Sequence, residues 1–183
     1  MVAHPTRFSP PTLPRVTNVM GDDPPDTASI RLLEPGDVDT VVDLSLRAWE
    51  PVFASFEETW GEPLYQRFFP DWRAHQARDV RAALDANPTW VSTDAERATG
   101  FVNVVFDEAE RAGEIYMIAV DPASQGRGLA GRLTEFALDE MRRRGMTLAT
   151  VATGADPGHG PARRTYERAG FEPIHQVLYA RLL

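Results

Sequence analysis

The stretch DPASQGRGLAGRL, Asp121 to Leu133, constrains this chain more than any other. It packs Gly126, Gly128 and Gly131, with Arg127 and Arg132, between an apolar strand-like run and a helix-like run. Glycine lets backbone amides approach a ligand closely and takes up positive φ without penalty. A helix that begins directly afterwards adds partial positive charge at its first turn. Together these features make a cradle for a phosphate or diphosphate. Arg127 and Arg132 are placed to add charge-assisted bonds.

Two familiar kinds of cradle fit such a stretch poorly. A P-loop requires lysine, and every one of the 19 non-histidine basic residues is arginine. A dinucleotide fingerprint G-x-G-x-x-G is matched by GRGLAG. That motif follows the first strand of a parallel unit, with an acidic residue about 20 positions on. Here the preceding strands read as antiparallel, and Met146–Gly154 carries no acid.

The order of elements bears out the antiparallel reading of these strands. Met1 to about residue 28 is rich in proline, small residues and acids without periodicity, and reads as a disordered leader. Residues 29–183 read as one domain. SIRLL (Ser29–Leu33) is a strand, EPGD a turn with Asp37 as N-cap, and Val38 to about Glu50 a helix. PVFASFEETWGEP reads as irregular, and Leu64–Ala86 as one long helix or two. TWVSTD, GFVNVVFD and EIYMIAVD, joined by short polar turns, form an antiparallel meander. An amphipathic helix follows, ended by RRRG. Met146–Gly154 returns as a strand parallel to Glu114–Asp121, because a crossover helix separates the two. Pro161–Gly170 is a helix and FEPIHQVLYARLL supplies one or two last strands. The fold class is therefore α/β (α+β), a mixed and mostly antiparallel sheet flanked by helices.

Composition narrows the function. Absence of cysteine excludes disulfides, thiolate metal sites and a cysteine acyl-enzyme, and suits a cytoplasmic protein. A net charge of −8 argues against a nucleic-acid partner, and no apolar run is long enough for a membrane span. The histidines have no metal-ligand spacing, so no metal is expected. Trp49, Phe53, Phe56, Trp60 and Trp72 are candidates to line a pocket or fill the core.

Gln125-Gly-Arg-Gly-Leu-Ala130 resembles the Q/R-x-x-G-x-G/A signature of the GNAT (GCN5-related N-acetyltransferase) superfamily. IAVDP before it and ARRTYERAGF (Ala162–Phe171) are similar to that family's preceding strand and later helix. The resemblance implies a splayed parallel strand pair and acetyl-CoA as cosubstrate. It assigns the pantetheine arm to the backbone of Ile118, Ala119 and Val120, with the Ile118 N–H polarising the thioester. It assigns the diphosphate to Gln125, Gly126, Arg127, Gly128, Leu129, Ala130 and Gly131. Tyr166 matches the tyrosine that protonates the leaving thiolate. Glu114 matches a general-base position, and alternation puts it on one face with Tyr116, Ile118 and Val120. His159 replaces a common asparagine, either to bond the pantetheine arm or to act as a base; water is a third base. The expected activity is acetyl transfer to a primary amine of a small molecule or peptide, by direct attack in a ternary complex. The alternative is a non-catalytic acyl-CoA-binding module of the same fold. Either a monomer or a homodimer is compatible with the sequence.

Overall fold

The computed structural model describes residues 29–95 and 97–182. The proline-rich leader expected over residues 1–28 lies outside them. The sheet is laid down in chain order: β1 (Ser29–Leu32), β2 (Thr89–Asp94), β3 (Arg97–Asp107), β4 (Ala112–Val120) and β5 (Leu148–Val151). The first three pairings are antiparallel and β4–β5 is parallel. Helices α1 (Val38–Trp60), α2 (Glu62–Phe68) and α3 (Trp72–Ala86) follow β1. Helix α4 (Leu129–Arg143) makes the crossover, and α5 (Gly160–Arg168) follows β5.

Each sheet face buries its own apolar cluster. On one side α4 sends Leu129, Leu133, Ala137 and Met141 against Trp90, Val102, Val104, Ile115 and Val120. These α4 positions recur at intervals of four, the stripe of an amphipathic helix. On the other side Val41, Val42 and Leu44 of α1 and Val80 and Leu84 of α3 meet Val91, Phe101 and Ala119.

Several sequence expectations are corrected. The first helix does not stop at Glu50 but runs through Pro51 to Trp60. Proline there removes the amide that would bond the Arg47 carbonyl, normally a cost of about 3 kcal/mol. Aromatic packing outweighs that cost. Phe53 stacks on Trp72 with centroids 4.2 Å apart, and Phe56 stacks on Trp60 at 4.5 Å. Of the two readings of Leu64–Ala86, the structure takes two helices, split at Phe69–Asp71, where the Asp71 carboxylate caps the Ala74 amide. Asp37 is not a side-chain cap for α1. Its carboxylate turns back to the Glu34 amide and takes a two-pronged bond from Arg31 at 2.6 and 3.0 Å. The last strands do not form: residues 171–182 carry no strand, and Ile174, Val177, Leu178 and Tyr179 are exposed. A strand pattern becomes a strand only when a neighbouring edge completes its ladder. This stretch docks on none within the described chain.

The Arg31 bond holds the Asp37 carboxyl below its ordinary value, against the opposing effect of burial. A depressed carboxylate stabilises the fold above its unfolded pKa, and that stability is lost as pH falls through the folded value. Asp37→Asn is therefore expected to lower the urea midpoint at pH 7. The gap to wild type should close as the pH is taken below about 4, the unfolded carboxylate range. An equal gap at pH 7 and pH 3 would show that charge at Asp37 contributes nothing.

Candidate active site

β4 and β5 separate at one definite point. Their parallel pairing runs from Ala112 with Leu148 to Ile115 with Val151 and ends there, while β4 continues to Val120. From Tyr116 onward β4 has lost its β5 neighbour. The Asp121 amide bonds the Thr99 carbonyl at 2.8 Å, which sets the phase of the β3–β4 ladder. Backbone groups of successive residues in an antiparallel strand point alternately to either side. Ala119 therefore turns its N–H and C=O to β3, and Ile118 and Val120 turn theirs into the gap. Of the three residues expected to meet the pantetheine arm, Ala119 is thus engaged with β3. The Val120 carbonyl is taken by Gln125 Nε2 at 3.1 Å.

A bulge changes which β4 side chains share a face. Asn103 pairs with Met117 but Val104 with Ile115, so Tyr116 is the extra residue on β4. Such an insertion shifts the alternation by one. Ile118 and Val120 accordingly join Ile115 in the α4 cluster. Glu114 lines a separate groove with Asp79, Asn87 and Val105 beside α3. The expected face of Glu114, Tyr116, Ile118 and Val120 is broken at this point. Tyr116 alone of the four lines both that groove and the main cleft. The bulge is held by Asn103, fully buried, whose amide donates to the Ala83 carbonyl at 2.9 Å and to Thr89 Oγ1 at 2.7 Å.

The main cleft has a volume of about 690 Å³. Its floor is β4 from Ile115 to Val120, and its far end is Gln125, Gly126 and Gly128–Gly131. Gly126 and Gly128 have φ of 79° and 75°, a region that disfavours other residues, and space for a ligand is open at both. Gly128 caps α4 with no side chain across its first amides, so these amides face the cleft without a competitor. Arg47 of α1 anchors the start of the loop by bonding Asp121 Oδ2 at 2.5 Å. Arg127 is exposed and does not line the cleft.

Tyr166 and His159 both line the cleft. Tyr166 is 8% exposed, and burial pushes its phenol up to about 12. Its ring packs edge-on to Phe171 with centroids 6.0 Å apart. Opposite stand Ala48, Trp49, Pro51 and Val52 of α1. Trp49 thus serves the cleft and the core at once, touching Phe101 at 6.3 Å between centroids.

Sequence reasoning missed Asp156. Its carboxylate lies 2.5 Å from His159 Nδ1, and both side chains are largely buried. Burial works to raise this carboxyl. The His159 hydrogen bond and charge outweigh it and hold the group below its ordinary value. The signal present in the sequence was the i, i+3 spacing in DPGH.

The fold and cleft define a class of protein that opens a parallel strand pair beside a glycine-rich helix start. The model of the acetyltransferase (GNAT) family matches residues 46–171, and the chain belongs to that family. A mycothiol acetyltransferase of Nocardia farcinica is 38% identical over 125 residues, 60% of this chain and 41% of that protein. The chain spans less than half the length of the mycothiol acetyltransferases it matches. Among solved structures, a GNAT-family protein of Desulfovibrio desulfuricans superposes with a TM-score of 0.62 at 23% identity, covering 81% of this chain and 87% of that one. An aminoglycoside N-acetyltransferase solved in complex with CoA superposes with a TM-score of 0.55 at 16% identity, covering 85% and 94%.

Proposed function

We propose that this chain is an acetyl-CoA-dependent N-acetyltransferase that acetylates a primary amine of a small molecule or peptide by direct attack in a ternary complex. The observation that carries the reading is the continuation of β4 past the end of β5, next to the uncapped first turn of α4. Acetyl-CoA supplies an activated thioester and a diphosphate, and the residues at hand suit both. The amides from Gln125 to Gly131 take the diphosphate, with Arg127 beside them. The edge at Ile118 and the Val120 amide receive the amide-bearing arm as a strand neighbour would. The Ile118 N–H polarises the thioester carbonyl. Tyr166 donates a hydrogen bond to the sulfur as the thiolate departs. With no cysteine in the chain, direct attack by the amine is the simplest route. The names of the relatives, mycothiol acetyltransferase and aminoglycoside N-acetyltransferase, support a small-molecule acceptor.

For the base that frees the amine, the family resemblance points to Glu114, but Glu114 lines the separate groove and only Tyr116 is shared with the cleft, whereas His159 lines the cleft itself.

Acetyl-CoA at 100 times its Kd is expected to add about 2.7 kcal/mol of apparent stability. For a domain of this size that raises Tm by several degrees. NAD should give no shift. Release of free thiol with an amine panel completes the test. No shift with acetyl-CoA would remove the cradle argument. A shift without turnover of any amine would favour the non-catalytic acyl-CoA-binding module.

A further inference from the structure

The loop between β5 and α5 is built around one contact, and the fold uses three separate devices to keep it. A Cβ on Gly154 would fall onto Asp156 Oδ2 and lie 2.5 Å from His159 Nδ1, so only glycine leaves room for the pair. Arg163 of α5 donates to the Gly154 carbonyl at 2.5 Å and to the Asp156 carbonyl at 2.8 Å, clamping the turn from one side. The Gly158 amide donates to Ser55 Oγ of α1 at 3.0 Å, holding it from the other. Asp156 is 8% exposed, and its Oδ1 is buried without a hydrogen-bond partner among the described residues. A buried, half-unpartnered carboxylate is a costly thing to keep. Its closest side-chain contact is the imidazole that lines the cleft, and the Ser55 hydroxyl and the His159 amide also help to hold its charge.

We propose that His159 is the general base for the acceptor amine and that Asp156 is its positioning residue. This rests on the acetyltransferase reading above. The ionised Asp156 accepts the Nδ1–H, so in the neutral imidazole the lone pair is on Nε2. The imidazole lies against Phe56, with centroids 5.5 Å apart, which limits its rotation. Phe56 of α1 packs on it, and Val52 of α1 and Arg164 and Tyr166 of α5 line the same cleft. Asp156 is the carboxylate bonded to the imidazole, and Glu135 of α4 lines the same cleft.

The proton count closes with these groups. An alkylammonium has three N–H protons. His159 Nε2 takes one and passes it to solvent, which frees the nitrogen lone pair. The new bond forms from nitrogen to the thioester carbonyl carbon, and the C–S bond breaks with its electron pair on sulfur. The second is lost to solvent as the amide forms, the departing thiolate takes a proton from water beside the Tyr166 hydroxyl, and the third stays on the amide.

Thiol release should be followed with phenethylamine, putrescine and an Ala-Ala peptide across pH, at saturating acetyl-CoA. His159→Asn is expected to lower kcat about 10²–10⁴-fold, the usual range for a general base, and to abolish the acid limb of the pH profile. Asp156→Asn should lower kcat about 10–100-fold and move that limb to lower pH, because the neighbouring negative charge is gone. Gly154→Ala should reproduce the Asp156→Asn profile. The acetyl-CoA thermal shift should survive in all three. A readout independent of turnover is the ¹⁵N NMR spectrum of the wild-type protein, with His159 assigned by its loss in His159→Asn. Neutral His159 should carry its proton on Nδ1. An Nε2–H tautomer would overturn the proposal. So would an acid limb that survives in His159→Asn and is lost in Glu114→Gln. Failure of acetyl-CoA to shift Tm would instead remove the transferase reading, and the proposal with it.

Discussion

Phe101→Ala is expected to destabilise the protein by about 3–5 kcal/mol, the usual cost of emptying a phenylalanine site in a closed core. Phe101 is fully buried at the centre of the sheet, where α1, α3 and β4 converge through Val41, Leu44, Val80, Leu84 and Ala119. A domain of this size commands about 5–15 kcal/mol in all, so this one truncation removes a large share. The cavity has no easy way to close, because its walls are two helices and three strands. Phe101→Leu keeps most of the volume and should cost less than about 1.5 kcal/mol. Urea unfolding of the three proteins, read as a shift in midpoint at constant slope, measures both values. The effect should also reach the cleft, since Trp49 rests on Phe101 and forms part of the cleft wall. Loss of less than 1 kcal/mol for the alanine variant would mean that this face is not a closed core.

Tyr166→Phe is expected to lower kcat about 100-fold, or about 2.7 kcal/mol in the barrier, with acetyl-CoA affinity changed less than about threefold. The ring and its packing on Phe171 remain, and only the hydroxyl is lost. That hydroxyl has no hydrogen-bond partner among the described residues, so folding stability should hardly change. The wild-type phenol, pushed up to about 12, remains protonated through the whole working range. No loss of rate from tyrosinate formation should therefore be seen below about pH 11. The raised value also defines the role. Full transfer to a thiolate of pKa about 8.5 is uphill by about 3.5 units, or about 5 kcal/mol. Tyr166 then acts by giving a hydrogen bond to the developing thiolate, and the sulfur's final proton comes from water. Single-turnover kinetics separate this from a binding effect. An unchanged kcat would leave Tyr166 a packing residue.

Much of this molecule was readable from residues 29 to 170. The cradle was legible because its chemistry is local: glycines, a strand end and a helix start all lie within 13 residues, Asp121 to Leu133. The parallel β4–β5 pair was legible because a crossover helix leaves few alternatives. Where an expectation failed, the deciding partner lay far away in sequence. Pro51 signals a helix end locally, yet Trp72, 21 positions on, stacks against Phe53 and supports the helix beyond it. The tail from Phe171 has the alternation of a strand, but a strand needs an edge to pair with.

By itself, then, the sequence determined most of the order of elements, the glycine-rich loop between a strand end and a helix start, and the family, since each depends on neighbours within a few residues or on one crossover. Tertiary structure alone decided three things. The bulge at Tyr116 put Glu114 in a groove apart from the main cleft, because Asn103 bonds the end of α3 and shifts the β4 register. The end of β5 at Val151 freed the Ile118 and Val120 edge. The fold of the DPGH loop against Ser55, 103 positions away, joined Asp156 to His159. Hydrogen bonds and packing across such separations carry no periodicity, so only the folded chain reveals them.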